Sequence, residues 1–324
     1  MVLEEQRIGV LLLEGVCTAG EALGLVETVT IGGIGCRVLL PVLGPVRGRW
    51  PRRLAGPPAP GGDQEQDPGW RKSMEDIWGE LGRSDVIRAV GIVPVGTAVP
   101  PGDEHIDFDH AVAQWRHLLR DWLAVAAEGP TDFPDRDYYG ATIFGSSEYD
   151  GEYDGDDVPY QPLQSGHRYR PQPLSARAWS HAIEHAGAGD PPPLARALMT
   201  SAIRAATTAN WRVAILDAAT ATEVALTRGL KARLSATLSP RDAKRKLDST
   251  HSLGPLIQLA KNQSMQLPAR ISEDLKNPRN DVIHRDKGMT SDEVETAITA
   301  AWAVVRQYAP LNACCQESGT TRGA

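Results

Sequence analysis

The stretch Arg279-Asn280-Asp281-Val282-Ile283-His284 gathers a guanidinium, a carboxamide and an imidazole within one short segment. Those three groups suffice for phosphodiester chemistry without a metal. Arg279 can grip a phosphate through its planar fork of donors, and Asn280 can orient one of its oxygens. His284, with a reference pKa of about 6.5, can take and return a proton near neutral pH. The same residues would also suit a surface helix end that meets only water, so the elements carrying them decide between the two readings. On one regular helix Arg279 and His284 would point roughly 140° apart, whereas Asn280 and His284 would share a face. One copy then makes an awkward site. Two copies across a twofold axis would bring both His284 and both Arg279 side chains into one cleft.

Two other patterns point to metals. His181-Ala182-Ile183-Glu184-His185 matches H-x-x-E-H, the arrangement of inverted zinc peptidases. Both imidazoles could bind zinc from positions i and i+4, with Glu184 as base. This helix is short, is expected to end at Gly187, and has no convincing third ligand on another helix. The competing expectation is that His181 and His185 lie on the polar side of a connecting helix. Asp150-Gly151-Glu152-Tyr153-Asp154-Gly155 resembles the start of an EF-hand loop, but Gln161 stands where its bidentate Glu is needed. A solvated acidic loop explains it as well, as does a strip of carboxylates competing with RNA for a basic domain. Neither a cofactor nor a metal is expected.

The elements around Arg279 are amphipathic helices. Leu194, Leu198, Ala202 and Ala205 mark one stripe after Pro191-Pro192-Pro193. A second helix runs from about Ala209 to Leu234, with Val213, Leu216, Leu226 and Leu230 expected to face inward. Ser239-Pro240 reads as an N-cap followed by a first-turn proline, opening a basic helix through Lys244-Arg245-Lys246. Leu253, Leu256, Ile257 and Ala260 recur at helical spacing. Pro268 is expected to open the next helix, and Pro278 to kink or end it just before Arg279. Thr290 with Glu293 forms a capping box, leading into Val294, Ile298, Ala301, Trp302, Val305 and Tyr308.

This arrangement resembles a HEPN domain (higher eukaryotes and prokaryotes nucleotide-binding) of the Apea-like or abortive-infection type, over about residues 191 to 312. The resemblance rests on Leu216-Asp217-Ala218-Ala219-Thr220-Ala221-Thr222-Glu223, on Leu253-Gly254-Pro255-Leu256, and on Leu275 to Arg285 with its R-x4-H motif. It implies an endoribonuclease that needs no metal, with Arg279, Asn280 and His284 as catalytic residues and Glu223 as a supporting acid. It also implies an active homodimer within a toxin or antiviral defence system, answering to an antitoxin or a trigger ligand. A HEPN-like module that binds RNA or a nucleotide, or only dimerises, is the alternative. Glu223 has a physical argument of its own. It lies seven residues from both Leu216 and Leu230, close to the apolar stripe, where an unpaired carboxylate costs several kcal/mol. Arg279 is the expected partner; a stripe-edge position reaching water is the alternative.

Charge is divided along the chain. Its net charge is −7, yet between Pro191 and Asn312 there are 17 Lys and Arg against 11 Asp and Glu. A basic domain favours RNA through its phosphates, with Lys244, Arg245, Lys246 and Arg285 as candidate contacts. Residues 1–130 read as an α+β domain of unassigned role. Its strands are Ile8 to Leu13, Leu25 to Ile31 and Ile34 to Leu40, the last two joined by a Gly32-Gly33 hairpin turn. Further strand signal in Val86 to Val99 is interrupted by Gly91 and Pro94, and residues 44–69 read as a long Pro/Gly-rich loop. Val112, Trp115, Leu119, Trp122 and Leu123 mark a helix from about Asp109 to Ala127. Residues 131–190 read as an acidic linker with a short helix, 191–312 as the all-α bundle, and 313–324 as a disordered tail. Cys17, Cys36, Cys314 and Cys315 lack metal spacing and suit a reducing cytosol. Glu4, Glu5 and Glu14 break the apolar N-terminal stretch, so no signal peptide or spanning helix, and hence no membrane, is expected.

Overall fold

A computed structural model of the chain describes residues 8–43, 54–55, 79–81, 85–95, 104–128, 143–145, 173–250, 252–285 and 288–311. The chain divides between Pro191 and Pro192 into an α+β unit and a helical unit, as the change from period-two to helical patterning implies.

In the first unit, β1 (Ile8–Thr18), β2 (Val26–Ile31), β3 (Ile34–Leu39), β4 (Val42–Leu43), β5 (Leu54–Ala55), β6 (Gly79–Leu81), β7 (Asp85–Pro94) and β8 (Ile143–Gly145) are the strands. The main sheet runs β2-β3-β7-β1-β8 and is antiparallel throughout, with β6 beside β7. The β2–β3 hairpin closes between Ile31 and Ile34. Its turn residues Gly32 and Gly33 have φ of 56° and 84°, as a two-residue turn with both central residues at positive φ requires. Gly91 does not interrupt β7; it pairs with Val10 on one side and Leu39 on the other. Pro94 falls at the end of the strand, where its missing N–H costs the ladder little.

The segments read as loop and linker also contribute to the sheets. Leu54–Ala55 pairs with Val42–Leu43, and Ile143–Gly145 pairs with β1 as an edge strand. The EF-hand-like residues Asp150 to Gly155, with Gln161, and the tail from 312 onward lie outside the described residues.

Helix α1 (Glu104–Ala126) starts earlier than its apolar spacing suggests, and Val112, Trp115, Leu119, Trp122 and Leu123 are all buried. Helix α2 (Ala176–Ala188) is the short helix of the expected linker, yet it packs on α1 and on β2 within the first unit. Its N-cap Ser175 side chain accepts from the Ala178 N–H, and Gly189 ends it at φ 74°, a left-handed cap that glycine adopts without a Cβ clash. Trp179 is fully buried, and its Nε1 donates to Thr18 Oγ1 at 3.3 Å. Gly187 therefore does not end the helix. It lies where the helix meets the sheet, and a Cβ there would come within 2.0 Å of Val29 Cγ2.

The helical unit comprises α3 (Leu194–Thr207), α4 (Trp211–Ser235), α5 (Pro240–Asp248), α6 (Leu253–Asn262), α7 (Asn277–His284) and α8 (Ser291–Tyr308). Helix α4 is its axis, touching each of the other five. Its buried face is built largely from Ala214, Ala218, Ala221 and Ala225, joined by Ile215, Leu226, Leu230 and Leu234. Val213 and Leu194 are exposed, and Leu216 and Leu198 only half-buried, which corrects the inward faces expected for α3 and α4. The inward row follows small residues because these let helix backbones approach closely, leaving the larger Leu and Val at the margin. Helices α6 and α8 bury the stripes that their spacing predicts, and Thr290 and Glu293 form the reciprocal cap. No helix among the described residues is long and apolar enough to cross a membrane.

The Gly187 contact gives a test with a definite sign. An exposed helical Gly→Ala change stabilises by about 1 kcal/mol, whereas forcing a methyl into a filled contact costs about 1–3 kcal/mol. Gly187→Ala is expected to destabilise the first unit by that larger amount, measured from the denaturant midpoint; stabilisation would contradict the packing described.

Candidate functional site

The motif helix α7 follows a widened turn. Ser272–Lys276 is π-helical, and the Asn277 N–H bonds back to Ser272 O. The wider turn accommodates Pro278. A proline inside a regular α-helix lacks one N–H and crowds the carbonyl four residues earlier; here it occupies the first turn of α7, the position that tolerates it. Pro278 thus neither ends nor isolates the helix before Arg279, and Arg279, Asn280 and His284 all lie on one α-helical stretch. Such π turns recur at functional sites. The only sequence signal for this one was a proline within a helical pattern.

The buried stripe of this segment is Ile271, Leu275 and Val282. Arg279, three residues before Val282, falls on the same side and meets Glu223 of α4, with Nη2 3.7 Å from Oε1. The two side chains are 25% and 22% exposed, so the pair is only partly screened by water. Glu223 Oε1 is itself buried without a hydrogen bond. At 3.7 Å the contact is Coulombic and too long for a hydrogen bond. Asn280 is half-buried, and Arg279 Nη1 approaches its Oδ1 at 3.4 Å.

His284 closes α7 as an exposed residue beside exposed Ile283. The helix therefore brings Arg279 to Glu223 and Asn280, while His284 lies about 140° round it from Arg279, on the side of Asn280. The candidate RNA contacts are all exposed. Arg245 Nη2 bonds Asp242 Oδ1 at 2.9 Å, and Arg285 Nη1 bonds Asp281 Oδ1 at 2.9 Å; each leaves donors of its fork for solvent or ligand. Lys244 and Lys246 flank Arg245 on α5. Sequence reasoning missed a cleft of about 720 Å3 at the C-terminal ends of α4, α6 and α8. Its walls carry Arg228, Arg233, Asn262, Gln263, Gln307 and Tyr308, and no carboxylate.

In the first unit, the H-x-x-E-H residues take up a definite geometry. His185 Nε2 lies 3.1 Å from His181 Nε2, and His185 Nδ1 lies 3.2 Å from Asp190 Oδ2. The Trp122 ring stacks on His185 at 4.5 Å, and its Nε1 donates to Asp190 O at 2.7 Å. Burial, then the neighbouring His185, lower the pKa of His181, and Glu184 opposes them. These rings are half-buried against α1 rather than on a free polar face, and no local pattern pointed to Trp122 and Asp190 as their partners. Glu184 is exposed. Among the described residues no group of three or more His, Cys, Asp or Glu is arranged to hold a metal ion. Cys36 is a buried free thiol whose pKa burial pushes up to about 11, which leaves it unreactive at neutral pH.

A double-mutant cycle with Glu223→Gln and Arg279→Gln, followed by urea unfolding, is expected to give a coupling of about 1 kcal/mol, the upper end for partly exposed pairs. Additive effects would mean that the two charges do not interact. Comparison with protein-family models, with curated proteins and with solved structures finds no match for this chain.

Proposed function

We propose that the helical unit is a HEPN-type endoribonuclease that needs no metal and is active as a homodimer. The observation that carries this reading is the Glu223–Arg279 pair, which fixes the direction of a guanidinium beside Asn280 before any substrate arrives. Preorganised donors of this kind stabilise charge that develops in a transition state. In the proposed reaction His284 removes the proton of a ribose 2′-hydroxyl. The 2′-oxygen attacks the adjacent phosphorus as the bond to the 5′-oxygen breaks. Arg279 stabilises the charge on the phosphoryl oxygens and Asn280 holds one of them. The departing 5′-oxygen takes up a proton, giving a 2′,3′-cyclic phosphate and a 5′-hydroxyl end. The exposed Lys244-Arg245-Lys246 run and the carboxylate-free cleft offer cations to the phosphates of RNA. A cytoplasmic toxin or antiviral defence role, held in check by an antitoxin or released by a trigger, fits this activity.

A second reading keeps the same surfaces without cleavage, as an RNA-binding or dimerising module. It is favoured by the separation of His284 from Arg279 within one chain, which leaves a lone copy without a complete site.

Incubating the purified chain with mixed RNA in EDTA separates the two. Cleavage is expected to survive chelation and to fall by about 100-fold or more in His284→Ala, the scale of lost general-base catalysis. Cleavage that needs added divalent metal would refute the reaction above. RNA binding without cleavage by either protein would favour the second reading. Mixing His284→Ala with Arg279→Ala chains is expected to restore part of the activity, because a mixed dimer retains each group once. No recovery from a dimeric mixture would place the whole site within one chain.

A further inference from the structure

The cluster of His181, His185, Asp190 and Trp122 belongs to the first unit and has no part in the proposed RNA chemistry. Two imidazole Nε2 atoms lie 3.1 Å apart on adjacent turns of α2, their rings tilted at 54° with centroids 4.2 Å apart. Asp190, when ionised, only accepts hydrogen bonds, so His185 must present a proton on Nδ1 to Oδ2 at 3.2 Å. The Nε2 of a neutral His185 is then a free lone pair, and it faces His181. Without a ligand, that lone pair accepts the Nε2–H of His181. If His181 instead carries its proton on Nδ1, both Nε2 atoms present lone pairs 3.1 Å apart.

We propose that His181 and His185 form a two-imidazole clamp for a divalent ion of the copper and zinc class, with Asp190 as the carboxylate that orients His185. An ion about 2.05 Å from each nitrogen, the usual zinc–imidazole distance, would subtend about 98° at the observed separation. That angle lies between the square-planar and tetrahedral values, and a reorientation of the two tilted rings would bring both lone pairs onto the ion. Imidazole suits copper, zinc and nickel, and copper binds most strongly in that series. A carboxylate on the second ring nitrogen is the usual outer partner of a metal-bound histidine, fixing its tautomer and raising its basicity.

The scaffold is rigid enough to hold this spacing. Trp179 pins one part of α2 to Thr18, Gly187 seats its last turn on Val29, and Trp122 stacks on the His185 ring. Asp190 is not a third ligand, since it meets the Nδ1 edge of His185, away from the two Nε2 atoms. The remaining coordination positions are open to water or an incoming donor. A peptidase reading has no support here, since Glu184 is exposed and no third protein ligand occurs among the described residues.

The test uses the untagged full chain, metal-free, titrated with Cu2+ alone and then with Zn2+ as competitor. The expected result is one Cu2+ per chain with two nitrogen ligands in its paramagnetic resonance spectrum, displaced only by a large excess of Zn2+. His181→Gln and His185→Gln are each expected to weaken binding at least ~10-fold, and Asp190→Asn to weaken it ~10-fold with both nitrogens retained. Trp122→Phe keeps both ligands and a ring over His185 but removes the Nε1–H bond to Asp190 O, so it should bind Cu2+ within ~10-fold of the wild type and lose much of the tryptophan quenching that Cu2+ causes. This last variant locates the ion without touching its ligands, which keeps the test decisive should either Gln variant fold poorly. Equal affinity in the wild type and a folded double His→Gln variant would overturn the clamp. So would a single-nitrogen spectrum, or quenching unchanged in Trp122→Phe.

Discussion

A carboxylate on the inner side of α4 constrains the rest of the helical unit. Glu223 Oε1 is buried without a hydrogen bond, and leaving such a group uncompensated would cost several kcal/mol. Arg279 is the cation that meets it, at 3.7 Å. Once that side chain must face α4, the rotation of α7 is fixed. Val282 then falls in the core, and Ile283 and His284 are turned to solvent. The sequence puts Pro278 just ahead of Arg279, where an unbroken α-helix would lack an N–H and crowd a carbonyl. The π turn at Ser272–Lys276 resolves that conflict with one wider loop of backbone. Ion pair and core contact thus follow from one requirement, and the π turn from the proline beside it.

The legible parts of the fold were those fixed by local chemistry. The N-cap at Ser239, the reciprocal cap of Thr290 with Glu293, and the Gly32-Gly33 turn each involve residues close in sequence, whose backbone demands can be read directly. The stripes of α1, α6 and α8 were equally plain because large apolar side chains mark them. Helices α3 and α4 misled for the opposite reason. An alanine-built interface carries little hydrophobic contrast, so the neighbouring Leu194 and Val213 drew the apparent face outward by a position or two. The π turn could not be read, since it answers the backbone conflict of Pro278 within a continuous helix. Pairing of Ile143–Gly145 with β1 was hidden by its acidic surroundings.

The candidate site shows the same division. That Glu223 needs a cation followed from its phase on α4, and Arg279 was the expected partner because pairing would fix the direction of the motif's guanidinium. The environment of His181 and His185 did not follow, because it depends on Trp122, far away in sequence, and on Asp190 beyond the end of α2. Gly187 looked like a helix terminator for a related reason. Glycine ends helices through its backbone freedom, but it also admits a close neighbour, and only the contact with Val29 distinguishes the two roles.

The division of labour on α7 bears directly on how the proposed chemistry would be controlled. Arg279 is oriented within its own chain by Glu223, so its readiness does not depend on assembly. His284, exposed at the end of the same helix, lies about 140° round it from Arg279 of its own chain. In the proposed dimer the partner supplies what is missing, and the reacting geometry exists only while the two helical units face each other in register. A change of a few degrees in that arrangement would separate the imidazole from the guanidinium by more than a hydrogen bond can span, since proton transfer tolerates only about 2.6–3.2 Å between heavy atoms. Control could therefore act on the pairing of two rigid units and leave every catalytic side chain in place.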